Sequence, residues 1–294
     1  MNNNNSESKD YNKYIKQLND SNWNNRVNAV YRLKEFDNPN VTKALIDTIT
    51  KEENENVWLS AVNVLKDKKE SKIVDYLMKS VLEDKRDEIR WHSAYILGEF
   101  GDFRSVDSII KALKDDCLEV RIHCAKALGK VGDKKAISAL IEALDDENPI
   151  VRKEAIYSLN LLSPTKEKNV LINSLKDNDK RVRSLAAILL GKTGAKEAVN
   201  ELSNVIKNDK DNVVRISAVY ALNRIGGKEV VEPLIEALSD SYWEVRSDAA
   251  IALGKINDDR AVVSLLELLK DENNYVKKSA SSALENFKIF KNEK

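Results

Sequence analysis

The two histidines of this chain stand at equivalent points of successive sequence units. His92, His123 and Glu154 each follow an arginine by two residues. Imidazole and carboxylate groups are ligands for zinc and iron, so this pattern raises the question of a metal site. Side chains on neighbouring packed helices are about 10 Å apart, whereas a single ion needs its ligands at about 2 Å. We therefore expect no metal, no cofactor and no metal-dependent catalysis.

Other catalytic chemistries find little support in the sequence. The chain has no glycine-rich phosphate-binding loop, and two histidines on one face do not supply a Ser-His-Asp arrangement. Its two cysteines do not suggest a disulfide framework. Cys124 takes a position that alanine or serine fills in the other units, which predicts a small core residue. These features predict a non-enzymatic protein of the reducing cytoplasm.

The elements that must position these residues recur along the chain. Nine residues, 31 or 32 positions apart, are each followed seven residues later by leucine: Arg26, Trp58, Arg90, Arg121, Arg152, Arg183, Arg215, Arg246 and Lys277. A period of this length indicates stacked helical hairpins. Within one unit, residues 136–144 and 151–159 show helical apolar spacing and are separated by a turn sequence. We name the two predicted helices of each unit helix A and helix B.

A second row of residues is acidic in all nine units. Six positions before the arginine row stand Asp20, Glu52, Asp84, Asp115, Asp146, Asp177, Asp209, Asp240 and Asp271. The acid falls in the turn between the helices and the base opens helix B. Stacking therefore predicts a ladder of ion pairs, in which each arginine meets an acid of its own or the adjacent unit. Trp58 interrupts the ladder, and nothing in the sequence explains this exception.

Residues 115–133 carry a specific resemblance. The segment contains the spaced residues Asp115, Val120, Arg121, Ala125, Ala127, Leu128, Gly129, Gly132 and Asp133. This pattern resembles the short HEAT repeat of the phycobilisome-lyase type and is similar to archaeal members, over about residues 11–288. The resemblance implies an all-α, right-handed α-solenoid (an α-α superhelix) of about nine two-helix HEAT-like repeats. It also implies a protein-binding scaffold or adaptor.

The same resemblance leaves an enzymatic alternative. Some HEAT-type proteins are enzymes or accessory proteins, either phycobilin-lyase-like or similar to the iron enzymes that hydroxylate deoxyhypusine. The iron enzymes use paired His-Glu steps at helix starts, and here the corresponding pairs are Trp91-His92 and Ile122-His123.

The composition of the chain indicates the limits of its domains and the classes of partner that it disfavours. Residues 1–10 are polar and Asn-rich and predict a disordered tail, followed by one solenoid domain over 11–288 and a C-terminal tail over 289–294. No apolar run approaches the roughly 18 residues of a membrane span, so no membrane association is expected. The 48 basic residues balance the 48 acidic ones, which disfavours nucleic acid.

The remaining variable positions indicate where a partner binds. In the family that the chain resembles, helix B lines the concave groove. The variable positions of each unit are those at −3, −2, +1, +2, +5 and +9 relative to the arginine row. They hold eight of the eighteen aromatic residues of the chain, and exposed aromatics are typical of interface hot spots. We predict that the groove binds another protein or peptide through Trp23, Tyr31, Trp91, His92, Tyr95, Ile122, Lys130, Tyr157, Ile188, Lys192, Tyr220, Arg224 and Trp243. The oligomeric state stays open.

The charges at these variable positions are also divided. The first three units carry acids and no base there, namely Glu35, Glu55, Asp67, Asp87, Glu88 and Glu99. The next four carry mainly bases, among them Lys126, Lys130, Lys153, Lys180, Arg181, Lys192 and Arg224. A groove that is acidic at one end and basic in the middle would orient a partner.

Overall fold

The computed structural model describes residues 4–68, 72–163 and 168–287. Within these ranges the chain forms eighteen α-helices and several short 3-10 turns, and contains no strand. This confirms the predicted all-α class. The chain divides into two compact units, residues 1–136 and 137–294.

The first unit contains four helical hairpins. Its helices are α1 (Asn4–Gln17), α2 (Trp23–Leu33), α3 (Pro39–Lys51), α4 (Glu55–Asp67), α5 (Lys72–Glu83), α6 (Asp87–Phe100), α7 (Val106–Ala112) and α8 (Leu118–Val131). Helix α1 starts inside the segment 1–10 that the composition assigns to a disordered tail, and earlier than the start at residue 11 that the sequence predicts. The Asn- and Ser-containing segment before Tyr11 includes no proline or glycine that would stop a helix.

The second unit contains five hairpins. Its helices are α9 (Ile137–Glu142), α10 (Pro149–Leu162), α11 (Lys168–Ser174), α12 (Lys180–Thr193), α13 (Val199–Asn208), α14 (Asn212–Ile225), α15 (Val231–Ala237), α16 (Trp243–Ile256), α17 (Val262–Leu268) and α18 (Asn274–Leu284). In both units the even-numbered helices are the predicted B helices, and they begin close to the arginine row.

Successive B helices make very close contact at three places. A Cβ atom added to Gly98, Gly191 or Gly254 would lie 2.6–2.8 Å from the Cα atom of an alanine on the next B helix. Such a distance is too short for any side chain, so glycine is required there because two backbones approach each other. The contacts join α6 to α8, α12 to α14 and α16 to α18.

The arginine ladder has a defined geometry, and Arg152 illustrates it. Its Nε and Nη2 atoms donate to the two carboxylate oxygens of Asp177, in the next repeat, at 2.8 and 2.7 Å. Its Nη1 atom donates to the backbone carbonyl of Asp146, in its own repeat, at 2.9 Å. One guanidinium therefore fastens the turn of its own repeat to the turn of the following one. A bidentate pair of this kind is both strong and directional.

The same arrangement recurs in both units. The Nε-to-carboxylate distance is 2.6 to 2.8 Å in the pairs Arg26–Glu52, Arg90–Asp115, Arg183–Asp209, Arg215–Asp240 and Arg246–Asp271. In each of these repeats Nη1 also bonds the carbonyl of the acid six residues earlier, at 2.8 to 3.0 Å. The predicted ladder is thus present. Each acid of the ladder accepts hydrogen bonds from two arginines. Its backbone carbonyl accepts from the arginine of its own repeat, and its carboxylate accepts from the arginine of the preceding repeat.

The ladder carboxylate also stabilises the turn before helix B. Asp177 accepts a hydrogen bond from the backbone N–H of Asp179 at 2.7 Å. Asp179 in turn caps α12 by accepting from the N–H of Arg181 at 2.8 Å. Burial alone would raise the pKa of Asp177, but the bonds from Arg152 and from the Asp179 N–H outweigh burial and lower it.

The exception at Trp58 is compensated by the following repeat. Trp58 is fully buried, and its ring lies 5.7 Å from that of His92. Arg86 donates to both carboxylate oxygens of Asp84 at 3.0 Å and, through Nη1, to the carbonyl of Glu52. An arginine at position 58 would bond these same acceptors. The guanidinium is therefore retained but reaches its place from the position before α6, where six other repeats carry an Asn or Asp that caps helix B.

We predict that Arg152→Ala lowers the free energy of unfolding by about 1–4 kcal/mol, because it leaves the carboxylate of Asp177 without its partner. The two side chains are only 14% and 13% exposed. Lys153→Ala, one residue further along at a more exposed position, should change stability by less than about 0.5 kcal/mol. Urea titrations of both variants measure the difference, and equal losses would contradict the role assigned to the ladder.

We predict that Arg86→Ala destabilises the first unit by about 1–3 kcal/mol, because it removes the donors to Asp84 and to the Glu52 carbonyl. Arg104→Ala is the matched control, since Arg104 also pairs bidentately with an aspartate two residues earlier, Asp102. The Arg104 side chain is 52% exposed, and its loss should matter little. If the two variants melt alike, Arg86 does not replace a ladder arginine.

We predict that the protein loses stability in acid. The pKa values of Glu52, Asp84, Asp177 and Asp271 are lowered in the folded state. Their stabilising contribution is therefore complete above the unfolded pKa of about 4 and is lost as the pH falls through the folded values. Urea titrations between pH 7 and pH 3 should show this loss, and Arg152→Ala should reduce it. An unchanged pH dependence in that variant would contradict the assignment.

Candidate functional site

One position of helix B leaves a large side chain exposed in repeat after repeat. It lies five residues after the ladder position, and its exposed fraction is 37–54% for Tyr31, Tyr95, Tyr157, Tyr220 and Ile251. The residues on either side of Tyr95, Ala94 and Ile96, are fully buried. Since successive residues on a helix point about 100° apart, burying both neighbours turns the intervening side chain away from the core. The rotation of helix B about its own axis therefore determines that the side chain five residues after the ladder position is exposed.

An aromatic cluster extends this row in the first unit. The Trp91 ring stacks on the His123 ring at 4.8 Å, with an interplanar angle of 25°. Tyr95 meets the same imidazole edge-on at 6.0 Å. Lys130 places its ammonium 5.2 Å from the centre of the Tyr95 ring. Helices α6 and α8 thus hold four side chains in a fixed arrangement, in a geometry typical of aromatic and cation–π contacts.

His92 lies beneath this cluster. It is only 5% exposed, its Nδ1 atom is 2.8 Å from the Glu88 carbonyl, and its ring stacks on Trp91 at 3.5 Å. Burial lowers the pKa of His92. This corrects the sequence-based placement of His92 among the surface residues that contact a partner. The reason is the large Trp58 ring, which packs against His92 from α4.

The two imidazoles contact an indole. Trp91 stacks on both His92 and His123, while Glu154 pairs with Lys153 at 3.2 Å. Among the residues that the structure describes, no group of three His, Cys, Asp or Glu side chains is placed to hold a metal ion.

The predicted charge division is weaker than the sequence suggests. Asp67 pairs with Lys34 at 2.6 Å, and Glu99 pairs with Lys66 at 3.2 Å and also with Lys130. Lys34 and Lys66 lie outside the variable positions, and each meets an acid one repeat further along. Two of the acids in the first unit are therefore already neutralised within the protein.

The other predicted residues occupy the surface to different degrees. Trp23 is 40% exposed. Lys130, Lys192 and Arg224 are exposed, and Ile122, Ile188 and Trp243 are half-buried. Trp243 stacks on Tyr275 at 5.4 Å.

Four exposed large hydrophobic residues at variable positions were not among the predicted contact residues. Tyr275 is 68%, Val213 is 52%, Leu161 is 49% and Ile251 is 41% exposed. Their location at variable positions was the signal that could have identified them.

Two hollows on the surface of the first unit differ in size. One of about 170 Å³ is lined by Tyr95, His123, Lys126, Ala127 and Lys130, which is smaller than the roughly 300–1,000 Å³ of a typical small-molecule site. A larger one, of about 500 Å³, is lined by Leu18, Arg26, Lys51 and Glu52 among others. Within the described ranges, no helix has the length and apolarity that crossing a bilayer requires.

Comparison with known proteins identifies the fold. The sequence profile of the family described as HEAT repeats matches residues 12–94, 74–160, 137–223, 168–250 and 212–285. No curated protein sequence matches the chain significantly.

Several solved structures are similar to this chain. YibA of E. coli is 21% identical with a TM-score of 0.60, over 87% of this chain and 95% of YibA. An engineered protein is 21% identical with a TM-score of 0.51, over 94% of this chain and 88% of its own. In the Kap95:Nup1 complex, the similarity to Kap95, the yeast importin-beta, has a TM-score of 0.69 at 14% identity.

The match to Kap95 covers 93% of this chain but only 46% of the other, so this chain spans about half the length of that protein. At these identities the structural similarities establish the fold and nothing further. The family profile spans residues 12–285 almost without a break. Together with the hairpins and their arginine ladder, it shows that the chain belongs to the HEAT-repeat family of α-solenoids.

Proposed function

We propose that this chain is a non-enzymatic scaffold or adaptor. It binds another protein or a peptide through the exposed face of its B helices, the face that the sequence assigns to a concave groove. It needs no cofactor for this role, and it acts in a reducing cytoplasm.

The observation that carries the proposal is the exposed row on helix B. Tyr31, Tyr95, Tyr157, Tyr220 and Ile251 stand at one repeated position, and each leaves more than a third of its surface accessible. Single exposed apolar residues are ordinary on protein surfaces. Their recurrence at equivalent points of five B helices, α2, α6, α10, α14 and α16, favours an interface, and tyrosine is enriched among interface hot spots.

The aromatic cluster of the first unit supports the same role. Trp91, Tyr95 and His123 are held by mutual ring contacts, and Lys130 lies over Tyr95. Side chains already fixed in this way lose little conformational entropy when a partner binds. The cluster therefore suits an anchor point.

The hollows favour a surface-binding role over a catalytic one. The hollow beside Tyr95 is too small to enclose a substrate of ordinary size. The larger one is lined by Arg26 and Glu52, whose charges already pair with each other at 2.8 Å. Burial raises the pKa of both cysteine thiols, Cys117 and Cys124, which disfavours the reactive thiolate form.

Proteins of the same fold that have been solved with partners are consistent with this proposal. Structures of Kap95 include one with Nup1 and one that concerns its binding to RanGDP. Those partners belong to Kap95, and the present chain has its own surface residues. The shared point is the use of a HEAT-repeat surface to bind another protein.

We predict that Tyr95→Ser combined with Tyr220→Ser reduces the affinity for the native partner by about 2 kcal/mol or more, because it removes two hot-spot side chains. The partner is to be captured from a lysate of the native host, quantified by mass spectrometry and confirmed by titration. Thermal melting should show little loss of stability, since both side chains are exposed.

The matched control is Phe103→Ser combined with Val263→Ser. These side chains are 64% and 67% exposed, so they are at least as accessible, but they lie outside the B helices. The proposal requires that the control retains the partner. Equal retention by both double variants, or equal loss, would show that the B-helix face is not the binding surface.

A further inference from the structure

A row of basic side chains runs along the B helices of the second unit. Lys192, Arg224 and Lys255 lie in the last turns of α12, α14 and α16, and all three are exposed. The intervals between them, 32 and 31 residues, equal the repeat length. They therefore occupy equivalent points on three successive helices.

Each base has an apolar neighbour one helical turn earlier. Ile188, Tyr220 and Ile251 precede the three bases by four residues, and residues four apart lie on the same face of a helix. Tyr220 and Ile251 are 37% and 41% exposed, and Ile188 is half-buried. An apolar row and a basic row thus run side by side.

Within the described residues, the side chains of the basic row are not engaged in ion pairs, although the charge of Lys255 partly offsets the rise that burial causes in the pKa of Asp248. None of the three bases forms an ion pair within 4.0 Å with any residue in the described part of the chain. In the first unit, by contrast, Lys34 and Lys66 neutralise acids at the equivalent point of the next repeat. In the repeats that directly precede those of Lys192, Arg224 and Lys255, the position of Lys34 and Lys66 is taken by uncharged residues, Asn160, Gly191 and Asn223.

The helix dipole explains only part of this arrangement. A base in the last turn of a helix is stabilised by the partial negative charge of the helix C-terminus. That effect requires no exposed apolar row beside the bases. It also predicts that removing the bases changes stability, whereas a binding role predicts that removing them changes affinity.

The spacing of the row limits the form of a ligand. Packed helices are about 10 Å apart, and an extended polyproline II chain has three residues per turn and advances about 3.1 Å per residue. Three residues of such a chain therefore span one repeat and return every third side chain to the same side. A chain with a carboxylate at every third residue would place one acid opposite each base.

We propose that the second unit binds an extended acidic segment of a partner protein, with carboxylates at every third residue on the basic row and apolar side chains on the row beside it. This inference rests on the scaffold function and names the partner's chemistry. Phosphates of single-stranded nucleic acid would also satisfy the bases. However, only Tyr220 in the apolar row offers an aromatic face, and Ile188 and Ile251 offer none on which successive bases could stack, so the polypeptide is favoured.

The test uses the full-length protein and a fluorescein-labelled peptide of six Glu-Val-Ser repeats. A second peptide of the same composition has its glutamates grouped at one end, and an oligo-dT strand represents nucleic acid. Fluorescence anisotropy at low salt should show tighter binding of the regularly spaced peptide, and added salt should weaken the binding.

Two triple variants separate the basic row from net charge. Lys192→Glu, Arg224→Glu and Lys255→Glu together should weaken peptide binding by about tenfold or more. Lys176→Glu, Lys207→Glu and Lys270→Glu change the net charge equally at exposed positions away from the B helices, and should weaken it by less than about threefold. Thermal melting checks that both triples fold, and Arg224→Glu alone serves if the first does not.

Three results would overturn the inference. These are equal affinity for the two peptides, equal weakening in the two triple variants, and preferred binding of oligo-dT. In the first two cases the scaffold function still stands, because it is judged by the tyrosine variants and the native partner. If the tyrosine variants retain that partner, the scaffold function fails whatever the peptide does.

Discussion

The position of one guanidinium group in each repeat is the constraint on which the structure depends. Arg152 shows how it works: three donor atoms reach the carbonyl of its own turn and the carboxylate of the next. This links neighbouring repeats in a fixed register. Because the register is the same from Arg183 to Arg246, a given position of helix B returns to the same face of the second unit. The exposed row therefore follows from the ladder.

The repeat that lacks its arginine shows what is constrained. Trp58 fills the core between α4 and α6 together with His92, and Arg86 supplies the guanidinium from the following repeat. The acceptors on Asp84 and Glu52 are the ones that a regular arginine would use. The structure thus requires a guanidinium group between the Asp84 carboxylate and the Glu52 carbonyl, whichever residue carries it. The buried Trp58 also supports His92, on which the Trp91 ring stacks.

Much of the fold could be predicted from the sequence, because a period of 31 or 32 residues with fixed acidic and basic rows is visible without coordinates. The atoms that pair were not predictable, since spacing does not distinguish a carboxylate from a carbonyl acceptor. Arg86 was missed because its role depends on how far its side chain reaches. His92 was placed on the surface because its position varies in residue type from repeat to repeat, but Ser60 and Ser217 at the same position are buried as well. The acidic charge of the first unit was overestimated, since Lys34 and Lys66 come from a position that the variable rows exclude.

The glycine contacts have a mechanical consequence. Gly191 and Gly254 bring α12 against α14 and α16 against α18 at backbone distance, and such joints have no side chains that can yield. Between α14 and α16 the equivalent residue is Asn223, and the two helices pack less extensively. Asn160 stands at the same position on α10, and α10 and α12 also pack less extensively. A force on the second unit would therefore bend it at the α10–α12 and α14–α16 joints, while the glycine-sealed pairs move as stiff blocks. The elastic compliance of this unit is set by the alternation of glycine and asparagine at one position of the repeat.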